Sequence, residues 1–145
     1  MVEGEVASVE AIDAALRDAG FPLGPFELID LAGVDVNLAA SQAIWEGLGR
    51  PERLRPSALL NGLIDSGRLG RKTRAGFYRY DGGARFSVDP TFANGPMSLG
   101  ADDIRARILS AIDAEARLAV GEGVASRSDV DLALRLGAGH PAGPF

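Results

Sequence analysis

At 145 residues, with 46% hydrophobic and 24% charged side chains, the chain has the make-up of one globular domain or two very small ones, and not of a disordered tail. A net charge of -5 at pH 7 argues against a dedicated nucleic-acid binder; no apolar run approaches the roughly 18 to 20 residues that cross a bilayer and no signal peptide opens the chain, so no membrane role and a cytoplasmic address are expected. There is no cysteine for a disulfide or a thiolate, and the single histidine, His140, cannot build an ordinary zinc site, so no metal is expected.

Helical spacing dominates the chain order. Ser8 is placed to cap a first helix carrying Ile12, Leu16 and Ala19, which Gly20 ends. Pro25 suits the first position of a second helix, with Glu27 in its first turn and Gly33 as its stop. Asp35 is expected to cap a third helix through Leu48, with an apolar stripe of Val36, Ala40, Ala43, Ile44 and Trp45. After a break at 51–56, a fourth helix carries Leu59, Leu60, Leu63 and Ile64 and stops near Gly67. Residues 67–76 are basic and glycine-broken, Phe77-Tyr78-Arg79-Tyr80 alternates as a short strand or extended segment, and Asp81-Gly82-Gly83 turns the chain. Residues 84–101, with Pro90 and Pro96, have no helical period and read as a linker. Asp102 or Asp103 then starts a long helix lined by Ile104, Ile108, Ile112 and Ala119 that ends near Gly121, and Ser126 caps a last helix with Asp129 at the reciprocal position.

The chain repeats itself. Residues 6–26 return as 124–145 with one residue inserted near Gly137, and Val6, Ala7, Ser8, Asp13, Ala15, Leu16, Arg17, Gly20, Pro22, Gly24, Pro25 and Phe26 recur unchanged. The second copy stops at the Gly-Pro-Phe after which the first continues.

Three features invite a functional reading. Residues 50–85 carry a charge of +6 against -11 for the rest. They either meet a phosphate-bearing ligand or acidic partner through Gly70-Arg71-Lys72-Thr73-Arg74, or form a solvated basic stretch facing the acidic remainder of the chain. His140 stands where the first copy has Phe21, which suits packing better than proton transfer. The carboxylate pairs Asp102/Asp103 and Asp129/Asp131 sit at helix starts, where the helix dipole already accounts for them. No Gly-x-Gly-x-x-Gly follows a strand. Local physics explains Gly24-Pro25-Phe26 as turn, first helical residue and core contact, and residues 23–31 with Trp45 read as helix-helix core.

Val6-Ala7-Ser8, the run Gly20-Phe21-Pro22-Leu23-Gly24-Pro25-Phe26-Glu27-Leu28-Ile29-Asp30, Gly33-Val34-Asp35, Gly70-Arg71-Lys72-Thr73 and Gly76-Phe77-Tyr78-Arg79-Tyr80 resemble, in order and spacing, the C-terminal domain of 3-hydroxyacyl-CoA dehydrogenases. The resemblance covers residues 3–80 and, as a truncated copy, 104–145. It implies an all-α fold similar to the helical dimerisation domain of the 6-phosphogluconate dehydrogenase type, divided into a first repeat (1–83), a linker (84–101) and a truncated second repeat (102–145). The implied parent activity is NAD-dependent oxidation of 3-hydroxyacyl-CoA to 3-ketoacyl-CoA in fatty-acid degradation. In that family a Rossmann domain binds NAD and supplies the catalytic histidine and glutamate, and this chain is read as lacking it. No catalytic or cofactor-binding residue and no turnover by the chain alone are therefore expected. The resemblance offers Pro25, Phe26 and Leu28 for lining the acyl end and Lys72 for a CoA phosphate. Ala106 stands where the family places an asparagine near the reaction centre, and Arg74 where glycine is common. The implied partners are acyl-CoA, the missing N-terminal Rossmann domain and a second subunit, mimicked within one chain if the two copies pack as a pseudo-dimer. The competing expectation is a stand-alone, non-enzymatic oligomerisation module.

Overall fold

The computed structural model describes residues 7–93 and 98–145; Val6 of the first repeat and Pro96 of the expected linker lie outside them. Among the described residues six α-helices run in chain order: α1 (Val9–Asp18), α2 (Pro25–Ala32), α3 (Val34–Gly47), α4 (Ala58–Asp65), α5 (Ala101–Gly121) and α6 (Arg127–Gly137). Between α4 and α5 lies a hairpin of β1 (Tyr78–Asp81) and β2 (Ala84–Val88), paired antiparallel with Tyr78 opposite Val88. The fold is mostly helical, as the spacing predicts.

Local signals set most boundaries. The Ser8 hydroxyl accepts the Ala11 N–H at 3.2 Å, and Ser126 does the same for Asp129 at 3.2 Å, each satisfying one of the donors a helix start leaves free. Pro25 opens α2, where its missing N–H costs nothing. The hairpin turns through Gly82 and Gly83, at φ +55° and +84°, the left-handed pair that a two-residue hairpin loop needs.

Several expectations are corrected. Helix α3 starts at Val34 rather than from a cap at Asp35, and it buries Val34 and Leu38, while Val36 and Ile44 of the expected stripe are 54% and 56% exposed. The helix packs against α2 and α4 along one narrow side, and on a 3.6-residue period Val34 and Leu38 share that side while Val36 and Ala40 do not. Likewise Leu28 and Leu31, read from sequence as core, are half-exposed. Residues 84–92, expected as linker, supply β2 and send Asp89 and Phe92 into the interior.

The core has two parts. Val9, Val34, Leu38, Leu60, Leu63, Phe77, Tyr78, Tyr80 and Phe92 form one, closing α1, α3 and α4 over the hairpin. The other joins Ala7, Ile12, Ala15 and Leu16 to Ile104 of α5, with Ile108 packed beside it. The long helix thereby completes the first repeat's core with residues of the second.

Candidate functional site

Three buried carboxylates hold the first repeat in shape. Asp13, on α1, accepts the Phe26 and Glu27 N–H groups at 2.9 and 3.1 Å and the Tyr78 hydroxyl at 2.7 Å. It thus pins the start of α2 to α1 and to β1. A Cβ on Gly24 would overlap that carboxylate, and one on Gly143 would overlap Asp131; the Gly-Pro-Phe that recurs in the repeat is shaped by this contact. Burial pushes the Asp13 carboxyl up to about 6, against the pull of its three donors, and it raises the Tyr78 hydroxyl as well. Asp30 takes the Phe77 and Tyr78 N–H groups and the Tyr80 hydroxyl, each at 2.9 Å, and burial raises it too. Asp89 is ion-paired to Arg68 and Arg79 at 2.7 and 2.6 Å. Burial works against the charge of Asp89, but Thr91 and the two guanidiniums prevail and lower its pKa.

With α2 so fixed, an apolar cavity of about 190 Å³ opens beside it. Leu16, Pro22, Leu23, Pro25 and Leu28 form one wall, and Ile108, Ile112, Ala138 and His140 the other. Phe21 and His140, repeat equivalents, meet edge to face with centroids 4.8 Å apart and planes at 67°. The approach is reciprocal: a Cβ on Gly20 would lie 3.3 Å from Pro141, and one on Gly139, its equivalent, 3.0 Å from Pro22.

Of the residues singled out by sequence, Pro25 and Leu28 line this cavity together. Phe26 turns instead toward the interior, its ring 4.6 Å from that of Phe77. Lys72 lies outside the cavity walls, paired with Asp35 at 2.5 Å. His140 is half-buried in the packing role its equivalence to Phe21 suggests, and burial lowers its pKa. Much of the basic stretch at 50–85 is paired within the chain, Arg53 with Glu115, Arg85 with Glu27, and Arg68 and Arg79 with Asp89. That favours the reading in which the stretch faces the chain's own acids. Ala106 is exposed on α5.

Sequence reasoning missed Asp13, Asp30 and Asp131 as structural anchors. The recurrence of Asp13 as Asp131, 13 or 14 residues before the phenylalanine of the same Gly-Pro-Phe, was the available signal. Asp131 accepts the Phe145 N–H at 3.1 Å, just as Asp13 accepts that of Phe26, so its place near the start of α6 is not explained by the helix dipole alone.

The sequence profile of the family described as 3-hydroxyacyl-CoA dehydrogenase, C-terminal domain, matches residues 1–80 and 104–145. This chain belongs to that dehydrogenase family. It is similar to the 3-hydroxyadipyl-CoA dehydrogenase of Escherichia coli K12, 47% identical over 78 residues, which cover 53% of this chain and 16% of that protein. It is similar also to the fatty acid oxidation complex subunit alpha of Vibrio campbellii, 35% identical over 145 residues, covering 94% of this chain and 20% of the relative. The crystal structure of 3-hydroxybutyryl-CoA dehydrogenase from Escherichia coli K12 superposes with a TM-score of 0.81 at 27% identity, over 99% of this chain and 48% of that one. The chain thus matches no more than a fifth of the length of either of these curated relatives.

Among the described residues there is no parallel strand that runs through a glycine-rich turn into a helix. The pyrophosphate of a nicotinamide dinucleotide is held at such a turn, and the sheet here is a two-stranded antiparallel hairpin. No helix among the described residues is long and apolar enough to cross a membrane.

Proposed function

We propose that this domain forms the acyl-binding wall of an NAD-dependent enzyme that oxidises 3-hydroxyacyl-CoA to 3-ketoacyl-CoA in fatty-acid degradation. The observation that carries the reading is the apolar cavity at the start of α2, where Pro25 and Leu28 meet Leu16 and Leu23; such surface takes an alkyl tail, because burying it from water is favourable. Phe26 supports the site from behind, against Phe77. Lys72 is assigned to a CoA phosphate, for which it must exchange its pairing with Asp35. Hydride transfer needs the nicotinamide and a base held together; both belong to a separate N-terminal dinucleotide-binding domain, so this chain alone turns nothing over. A cytoplasmic location is part of the same proposal.

The chain is further proposed to be two repeats, 1–83 and 102–145, with residues 84–101 passing between them by way of strand β2, which packs with the first repeat, and the two repeats packed as the subunits of a dimeric relative would pack. The reciprocal contacts of Gly20 with Pro141 and of Gly139 with Pro22 support this, since an isologous interface repeats each contact with the roles exchanged. The competing reading, a non-enzymatic oligomerisation module, draws on Val36, Ile44 and Leu48 of the α3 region, each more than half exposed.

Separate calorimetric titrations of acetoacetyl-CoA and NADH, with hydride transfer assayed in the same samples, test the proposal. Binding of the CoA ester without NADH binding or turnover is expected. Binding of neither ligand, together with self-association in sedimentation, overturns it in favour of the oligomerisation module.

A further inference from the structure

The Phe21–His140 ring pair borders the cavity beside Pro25 and Leu28, and the same pair borders a second cavity. It holds about 460 Å³ against about 190 Å³ for the first, and both are bordered by Phe21, His140 and Ile112. Leu109, Pro141 and Pro144 line the far one. The two rings are held by corresponding backbone bonds: the Phe21 N–H donates to the Leu16 carbonyl at 3.2 Å and the His140 N–H to the Leu134 carbonyl at 3.1 Å. Leu134 is the repeat equivalent of Leu16. Each helix end thus fixes its own ring, and the rings meet where the two repeats meet.

We propose that the Phe21–His140 pair, with Ile112 beside it, is the end stop of the acyl cavity, so that the second repeat sets the chain length the first repeat accepts. This rests on the acyl-binding reading above. A cavity of about 190 Å³ lies below the ~300 Å³ at which sites for drug-sized ligands begin, so its size suits a short alkyl tail. Removing the imidazole joins it to the larger space, and a longer tail then continues past Ile112 toward Leu109. Burial holds His140 below its ordinary pKa, which keeps the stop uncharged against an apolar tail at neutral pH.

The test titrates CoA and then butyryl-, hexanoyl-, octanoyl- and decanoyl-CoA calorimetrically into the wild-type chain, His140→Ala and His140→Phe. For the wild type, affinity should rise by about fourfold for each methylene buried and level off early in the series. His140→Ala should carry the rise on to the longer esters, and His140→Phe, which restores a ring like that of Phe21, should return the plateau to its wild-type place. A loss of packing alone would weaken all esters together and leave the plateau unmoved. The same plateau in wild type and His140→Ala overturns the end stop while leaving the acyl-binding reading intact. Esters that bind the wild type no better than CoA itself overturn both.

Discussion

Helices α1 and α6 come from the same sequence repeat and meet different fates. Each starts from a serine that accepts a backbone N–H at 3.2 Å, and each carries an aspartate that reaches the phenylalanine of a following Gly-Pro-Phe. Yet α1 buries Val9, Ile12, Asp13, Ala15 and Leu16, whereas α6 buries no residue and leaves Leu132 and Leu136 54% and 78% exposed. Asp13 gathers two amides and a tyrosine hydroxyl; Asp131 gathers the Phe145 amide. The comparison separates what a helix carries in its own sequence, its cap and its clip to the next turn, from what its neighbours give it. Opposite α1 stand the hairpin and α5, and burial follows from them.

The widest gap should come from truncating apolar side chains at the two ends of the comparison. Ile104→Ala removes a side chain that is 1% exposed between α5 and α1 and should cost about 3–4 kcal/mol. Leu136→Ala on exposed α6 should change stability by less than about 0.5 kcal/mol. Urea melts followed by circular dichroism measure both; equal costs would mean that α5 does not complete the first core.

The paired aspartates sharpen the point. At pH 4, Asp13→Asn leaves buried donors facing an amide and should cost about 2–3 kcal/mol, while Asp131→Asn should cost well under 1 kcal/mol. The loss at Asp13 depends on pH. Its folded pKa of about 6 lies above the unfolded value of about 3.9, so its stabilising contribution is fully present below about pH 4 and is lost as pH rises through about 6. The margin of wild type over Asp13→Asn should therefore shrink by about 2–3 kcal/mol between pH 4 and pH 7. Glu27 and Asp89, whose pKa values are lowered, lose stability on acidification instead; Asp89 titrates in both proteins and cancels in the difference, whereas Glu27, whose charge acts on Asp13, cancels only in part. A margin that is flat with pH, or grows toward pH 7, would contradict a raised Asp13.

The smallest effects should be the most alike. Ser8→Ala and Ser126→Ala each remove one capping bond and should each weaken their own helix by about 1 kcal/mol, read by amide hydrogen exchange at Ala11 and Asp129. A much larger loss at Ser8 would show that the cap at α1 is coupled to the core around it.

Much of this was legible before any coordinates. Ser8, Pro25, Gly33, Ser126 and the Gly82-Gly83 turn act through bonds a few residues long, so the chain states them directly, and the repeat and the family are sequence properties. The side of α3 that is buried was not legible, because Val36 and Ala40 make as good a stripe as Val34 and Leu38 until α2 and α4 choose between them. Nor was the strand at 84–88, too short and polar to be read without its partner β1. The sequence by itself determined, to within a residue or two, where the helices begin and end and that the chain carries one motif twice. Only the tertiary structure decided that Asp13 and Asp30 are buried anchors and that Ile108 and Ile112 wall a cavity begun by Pro25 and Leu28. The physical reason is range: a cap is satisfied within a turn, whereas desolvating a carboxylate or closing a cavity takes side chains that folding brings together from distant parts of the chain.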